Sequence, residues 1–366
     1  MNNIDNRNYK ILLTGGGTGG SVTPLLAIYD ELNNPPNPLY QGGDKFDFLW
    51  LGTKFGPEKE MVEKAGIKFK AISGGKWRRY FSLENFVDIV KIKLGFFQAL
   101  FIILKWHPDL VISAGSFISV PVVWAAWVLR VPILIHQQDI IAGLANKLMA
   151  PFAKTITVTF EKSLADYGKR AVWIGNPIRQ SLKVESQKSK VENNEMPVVL
   201  IIGGGTGAIA INKIVEDSLS GLIKFCQVIH ITGKEKSALS NEVKITNYEK
   251  YEFLSVNKMA EALNTADLVV TRAGLGFLSE LSYLGKPTVI IPIPDSHQED
   301  NAAFFRNKKA AITVKQKYLT AENFTHMIKD LLSDKNNLER LSVNMGQAMK
   351  RGANQEMVKI IKSLLK

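Results

Sequence analysis

The 366-residue chain is poor in several things that would each point to a function. It has a single cysteine, Cys226, which excludes an internal disulfide and fits a reducing compartment. Its apolar run from Leu94 to Leu104 is eleven residues long, and a bilayer-spanning helix needs ~20. The opening MNNIDNRNYK is polar and runs straight into a strand, so no secretory signal is expected. There is no G-x-x-x-x-G-K-[ST], which excludes a P-loop nucleotidase. There is no D-x-D, so a metal-held sugar nucleotide has no support, and the five histidines (His107, His136, His230, His297, His326) show no metal-ligand spacing. The sequence calls for no metal and no cofactor.

The composition, 46% hydrophobic and 22% charged, is that of a folded protein. The length exceeds one compact core and suits two domains. The net charge of +12 implies an acidic partner or serves solubility. Its distribution says more. Between Lys68 and Lys105 there are eight Lys or Arg and two acids, Glu84 and Asp88, together with Trp77 and the Leu94–Leu104 run. Two readings stay open here: a buried helix behind a basic loop, or a helix that dips into an anionic membrane surface. No aromatic residues interleave with the basic ones in a recognised pattern, so nucleic acid is not expected as a partner.

One repeat is visible. An apolar strand followed by GGGTG occurs at Ile11–Gly19 and again at Leu200–Gly207, each followed by an apolar-periodic segment, VTPLLAIYDEL and then IAINKIVEDSL. Strand, glycine turn and helix is how a Rossmann-like unit begins, so two α/β domains with parallel sheets are expected. Strands are expected at FDFLWLG, DLVISA, VPILIH and TITVT in the first half, and at QVIHIT, YEFLSV, LVVTR and TVIIPI in the second. Helices are expected at KEMVEKAG and SVPVVWAAWVLR. The polar stretch 181–197 reads as a linker. The expected division is 1–178 and 179–344, with a last helix at about 345–366 packing back on the first domain.

Both glycine loops match a dinucleotide fingerprint literally, at Gly15, Gly17, Gly20 and at Gly203, Gly205, Ala208. Glycine lets backbone N–H groups approach phosphate oxygens, and the helix N-terminus adds a positive dipole end. NAD is excluded because no acid ends the second strand of either half, where Leu49–Thr53 and Ile229–Gly233 stand. In the second half, Gly274 and Gly276 open a helix that carries Ser279 and Glu280. Its N-terminus suits a diphosphate, and a carboxylate one turn in suits a ribose diol; the alternative for Glu280 is complementation of the helix dipole. Gln298 and Asn301, three apart after the strand TVIIPI, are neutral groups suited to sugar hydroxyls, or else ordinary loop polarity.

GGGTGGSVTPLLAI, HQQDIIAGLANKLMAPFA, GNPIR, the second GGGTGA, TRAGLGFLSEL and HQEDNA, in that order, resemble the MurG family over roughly residues 10 to 350. The resemblance implies a GT-B fold, two Rossmann-like domains facing a cleft. It implies inverting transfer of GlcNAc from UDP-GlcNAc to the C4 hydroxyl of a muramyl pentapeptide on undecaprenyl diphosphate, by a peripheral protein on the cytoplasmic face of the plasma membrane. A transferase of the same fold acting on another lipid-linked acceptor is the competing reading. Carried over, the substrate contacts are Thr18, Gly19, Gly20, Ser21, Asp139, Arg179, Gly205, Thr206, the run Leu275, Gly276, Phe277, Leu278, Ser279 and Glu280, then Gln298 and Asn301. Arg179 resembles the residue near the uracil, Glu280 the ribose-binding carboxylate, and the first glycine loop the seat of the acceptor's diphosphate. The Lys68–Lys105 stretch covers the region that the family turns to the membrane, which favours an anionic membrane surface as a partner.

The sequence departs from the family at three places. Ser21 stands where His follows the first GGTGG, His136-Gln-Gln-Asp139 replaces HEQN, and Gly205-Thr206 replaces Ser-Gln. Serine alone is a poor general base. The base is therefore expected at Asp139, with His136 as the second candidate; the alternative for Asp139 is a bond to the donor or to the backbone only.

Overall fold

The computed structural model describes residues 7–17, 19–33, 45–75, 84–179, 196–204, 208–234, 236 and 245–365, with backbone only at 84–86 and 256. The expected linker lies almost wholly outside the described residues, as do Trp77 and the basic residues beside it. The chain divides into two compact units, Met1–Arg179 with Lys350–Lys366, and Gln180–Met349.

The first unit is built on seven parallel strands: β1 (Asn8–Thr14), β2 (Lys45–Gly52), β3 (Lys68–Ala71), β4 (Leu110–Ser113), β5 (Ile133–Gln137), β6 (Thr155–Val158) and β7 (Ala171–Trp173), in the order β3-β2-β1-β4-β5-β6-β7. The central strands read as unbroken apolar runs because both faces are covered. Alternation of side chains divides β1 between two cores. Leu12 packs with Leu49, Val111 and Ile135 beneath α3 (Glu84–Trp106) and α4 (Ser119–Val128). Ile11 and Leu13 pack with Trp50 and Ile112 beneath α1 (Thr23–Asn33), α2 (Glu58–Lys64), which contributes Val62, and the final helix, Ala353–Leu365, which contributes Met357, Val358 and Ile361. That helix is fastened by Asn354, whose amide exchanges two hydrogen bonds with the Ile178 backbone, both 3.0 Å, and donates to Glu31 at 3.0 Å.

The second unit has six parallel strands: β8 (Val198–Ile202), β9 (Gln227–Ile231), β10 (Tyr248–Tyr251), β11 (Leu268–Thr271), β12 (Thr288–Ile290) and β13 (Ile312–Thr313), ordered β10-β9-β8-β11-β12-β13. This repeats the winding of the first unit, so each sheet reverses its strand order beside its first strand. That is where open α/β sheets bind ligands, outside the carboxyl ends of the strands. The strand expected at YEFLSV lies earlier, at Tyr248–Tyr251. Ser255 has already begun the next helix, accepting a hydrogen bond from the Lys258 amide at 3.5 Å.

Candidate functional site

In the first unit the carboxyl ends of β1, β2, β4 and β5 lie along one edge of the sheet. The first glycine loop leaves β1 there. The Trp50 indole donates to Gly15 O at 3.0 Å, and the Ser21 hydroxyl donates to Gly16 O at 3.3 Å. Gly17 takes φ +76° and gives its amide to Glu58 at 3.0 Å. Gly19 O receives the amides of Val22 and Thr23, at 3.2 and 3.1 Å, which closes the loop onto α1. Gly19 and Gly20 are half-buried, whereas Ser21 is buried and its hydroxyl braces the loop. Thr18 lies outside the described residues.

At the end of β5, the four residues His136 to Asp139 have different fates. His136 is fully buried, and its ring nitrogens contact the Thr157 hydroxyl at 3.0 Å and Asn176 Oδ1 at 2.9 Å. Asn176 Oδ1 only accepts, so Nε2 carries the hydrogen and Nδ1 accepts from Thr157. Burial pushes the His136 pKa down to about 4. The expectation that His136 serves as a base is therefore corrected: its ring is sealed in the core with both nitrogens engaged. Gln137 is buried as well; its Nε2 donates to Asp139 O at 3.2 Å and its Oε1 accepts from the Tyr167 hydroxyl. Only Asp139 of the candidate bases is half-exposed.

Between them β4 leaves through Gly115 and Ser116, both at positive φ, +96° and +84°. Serine is strained there, and such strain gathers at functional turns. The sequence offers no local sign of it. Arg179 closes the unit, half-buried; its charge favours the ionised form of Asp30, opposing the burial that raises that carboxyl's pKa.

In the second unit β8 leads into Gly203 and Gly204; Gly205 and Thr206 lie outside the described residues. A side chain at Gly203 would strike Ala208, which precedes the helix Ile209–Leu222, so this glycine serves close approach of loop to helix. Gly204 sits at φ +94° in open space. Among the described residues no side chain caps that helix, whose cap residue is Ala208, nor the helix Leu275–Leu284 that follows β11, where Gly274 is the cap residue. Two N-termini with no side-chain acceptor at the cap are suited to anions. Glu280 is buried in the second turn of the latter helix.

Several candidate contacts here turn out to be structural. Leu278 is fully buried and its amide bonds to Gly274 O at 3.0 Å, so neither its side chain nor its N–H serves a ligand. The Ser279 hydroxyl donates to Leu275 O at 2.6 Å. Asn301 is buried and donates to Ala273 O at 3.1 Å, which corrects its expected role at a sugar. Gln298 is half-buried, and its Oε1 accepts from the amides of Ala273 and Ile293, both at 3.2 Å. Leu275 and Gly276 are buried and Phe277 is half-buried. Arg272 emerges as a residue the motif reading passed over. It is buried, donates to the carbonyls of Ile291 and Pro292 at 3.0 Å and to Gln316 at 2.7 Å, and its Nε has no partner among the described residues. It ties together the exits of β11 and β12. A lone arginine ending an apolar strand is the signal that marks it.

Away from these edges, α3 leaves Val87, Val90, Leu94, Phe97, Phe101 and Leu104 exposed. Their spacing places them on one face of the helix. The opposite side carries Ala99 and Ile103 into the core. Gly95 is needed there because any side chain would strike Ser73 O. Trp127 and Val128 are exposed at the end of α4, which packs on α3, and Lys91, Lys93 and Lys105 are exposed on α3. No helix among the described residues is long and apolar enough to cross a membrane, and no cluster of metal-ligating side chains occurs among them.

Residues 11–158 match the glycosyltransferase family 28 N-terminal domain, and residues 198–359 match the glycosyltransferase family 28 C-terminal domain. The chain is similar to the UDP-N-acetylglucosamine--N-acetylmuramyl-(pentapeptide) pyrophosphoryl-undecaprenol N-acetylglucosamine transferase of Clostridium kluyveri, 38% identical over 88% of this chain and 91% of that protein. The transferase of the same name from Clostridium novyi is 34% identical over 98% and 99%. The chain belongs to the MurG family. Among solved structures, MurG of Acinetobacter baumannii superposes with a TM-score of 0.70 at 23% identity, covering 97% of this chain and 99% of that one. The calicheamicin glycosyltransferase CalG4 superposes with 0.69 at 13%, covering 98% of each chain, and shares only the fold. The fold is therefore GT-B, with two parallel-sheet α/β domains.

Within the MurG family frame, two departures acquire physical reasons. Ser21, where the resemblance leads one to expect histidine, places a hydroxyl that braces Gly16. A glutamine at 137 can donate to Asp139 O and accept from Tyr167 at once, which a carboxylate cannot.

Proposed function

We propose that this chain transfers GlcNAc from UDP-GlcNAc to the C4 hydroxyl of a muramyl pentapeptide carried on undecaprenyl diphosphate, inverting the anomeric centre. The observation that carries the reading is identity of 34–38% with transferases of that name over nearly the whole chain. The second unit takes the donor. The helix N-termini at Ile209 and Leu275 receive the diphosphate, Glu280 the ribose, and the amide nitrogen of Gln298 the sugar. The Arg272 charge lies behind the same edge, and Gly205 and Thr206 are taken as further donor contacts. The first unit takes the acceptor at Gly19 and Gly20 and the strand ends beside them.

In the transfer the acceptor oxygen bonds to the anomeric carbon, the bond from that carbon to the diphosphate oxygen breaks, and UDP leaves with the electron pair. The proton of the hydroxyl goes to Asp139, the half-exposed carboxylate at the end of β5. Charge developing on UDP is met by helix N-termini already in place, which need no reorganisation.

The exposed face of α3, with its lysines, docks the protein on anionic lipid, where the acceptor resides; since the donor is a cytoplasmic nucleotide sugar, this is the cytoplasmic face of the plasma membrane. The test is transfer from labelled UDP-GlcNAc to the muramyl lipid, run beside diacylglycerol and other polyprenyl diphosphates. Label in the muramyl lipid is the expected result. Label only in another lipid would overturn the reading.

A further inference from the structure

Glu58 lies beside the first glycine loop and is fully buried. Its Oε2 accepts the Gly17 amide at 3.0 Å; its Oε1 accepts the Thr53 amide at 2.8 Å and also the Thr53 hydroxyl. The carboxyl thus joins the exits of two neighbouring strands, β1 through Gly17 and β2 through Thr53. Room for it is made by glycine. A side chain at Gly16 or at Gly56 would overlap the Glu58 carboxyl, whereas one at Gly52 would first strike the Phe69 ring at 2.8 Å. Two glycines, one after β1 and one after β2, enclose one acid. The middle glycine of the first GGG is therefore there for the acid behind the loop. Gly17 gives its amide to that acid.

We propose that Glu58 is a positioning residue for the acceptor: it sets the conformation of the first glycine loop, and so the placing of the loop's remaining backbone groups against the substrate. The inference rests on the reading that this loop receives the acceptor. Both oxygens of Glu58 face donors, so an amide in its place turns a donor toward Gly17 N–H or Thr53 N–H, and the loop must move to relieve it. Glu58 touches no substrate; its effect is on where the loop stands. Displacement of a positioning element by about 1 Å costs up to a hundredfold in rate.

The experiment is steady-state kinetics on the intact protein with muramyl lipid and UDP-GlcNAc varied separately, for E58Q, T53V, T53S and G19V. Glu58→Gln is expected to raise the acceptor KM roughly tenfold to a hundredfold while the donor KM stays within about twofold. Thr53→Val removes one hydroxyl donor to the same oxygen, and about a threefold to tenfold rise in acceptor KM is expected, restored by Thr53→Ser. A merely structural role would lower the active fraction and leave both KM values alone, and that result overturns the proposal. Should Glu58→Gln fail to fold, the Thr53 pair decides. Gly19→Val separates the two levels of the argument. It places a branched side chain in the loop itself, where the nearest atom to a new Cβ is Met61 Sδ at 3.9 Å. If it leaves the acceptor KM unchanged, the loop does not receive the acceptor. If it raises that KM and the Glu58 and Thr53 variants do not, the loop receives the acceptor without help from Glu58.

Discussion

Acid should destabilise this protein through two histidines that resist protonation while folded. His136 in the first unit and His230 in the second are both fully buried, and burial lowers each pKa to about 4. His230 contacts the Tyr248 hydroxyl at 3.0 Å and Asn212 Oδ1 at 3.2 Å, an arrangement like that of His136 with Thr157 and Asn176. In the unfolded chain both titrate near 6.5. Above pH 6.5 both states are neutral and the stabilisation is complete. Between pH 6.5 and about 4 the unfolded state binds protons that the folded state refuses, so stability falls by roughly 1.4 kcal/mol per pH unit for each histidine. Over the whole window that amounts to about 3 kcal/mol for each. Asp30, its pKa raised by burial, works in the opposite sense, because its folded form takes up a proton before its unfolded form. The assay is urea unfolding at steps from pH 7.5 to 4 for the wild type, His136→Asn and His230→Asn. Each variant should lose one histidine's share of the acid slope, even though each is less stable at pH 7. An unchanged slope in either variant refutes the sealed, neutral ring, and for His136 it would reopen the case for a base there.

Three further outcomes are expected. Asp139→Asn should lower kcat by roughly a hundredfold or more with the donor KM little changed, measured by label transfer; unchanged turnover removes Asp139 as the proton acceptor. Glu280→Gln should raise the donor KM roughly tenfold, about 1.4 kcal/mol, by weakening one charge-assisted contact to the ribose; calorimetric titration with UDP checks this without turnover, and unaltered affinity places the ribose elsewhere. Phe97 and Phe101 are the most exposed apolar residues of the α3 face, 63% and 68%; replacing both with Asp should weaken binding to phosphatidylglycerol vesicles about a hundredfold, from some 3 kcal/mol of lost burial. Equal vesicle binding by that variant would show that another surface meets the lipid.

Much of the fold can be read in the chain because buried parallel strands leave continuous apolar runs. Leu110–Ser113 and Thr288–Ile290 stand out for this reason. The edges are harder. Lys68–Ala71 is mostly exposed and two residues suffice for Ile312–Thr313, so neither carries an apolar run. Side chains at the site depend on facts that no local pattern holds. His136 lies in a polar quartet at a strand's end, but the pleat turns it under the sheet toward Thr157. Asn301 and Gln298 are three apart on one helix, and both make a hydrogen bond back to Ala273, Asn301 through its nitrogen and Gln298 through its oxygen. Glu58 is one of three glutamates in PEKEMVEK, and nothing nearby separates it from Glu60 and Glu63, which stay exposed. What separates it is the β1 loop, forty-one residues earlier in the chain.

The two GGGTG loops show how far a repeated motif constrains function. Both follow a first strand, both lead into a helix, and both include a glycine at positive φ, Gly17 and Gly204. What stands behind each loop differs. In the second unit Gly203 closes on Ala208, and among the described residues nothing lies within 4 Å of a side chain added at Gly204 and no side chain caps the helix, so its first amides favour an incoming anion. In the first unit a buried carboxyl already holds the Gly17 amide, so a phosphate at this loop has one amide fewer to meet. The motif specifies strand, turn and helix in both places, whereas anion binding depends on the residue that fills the turn from within. Equal sequence therefore gives unequal turns.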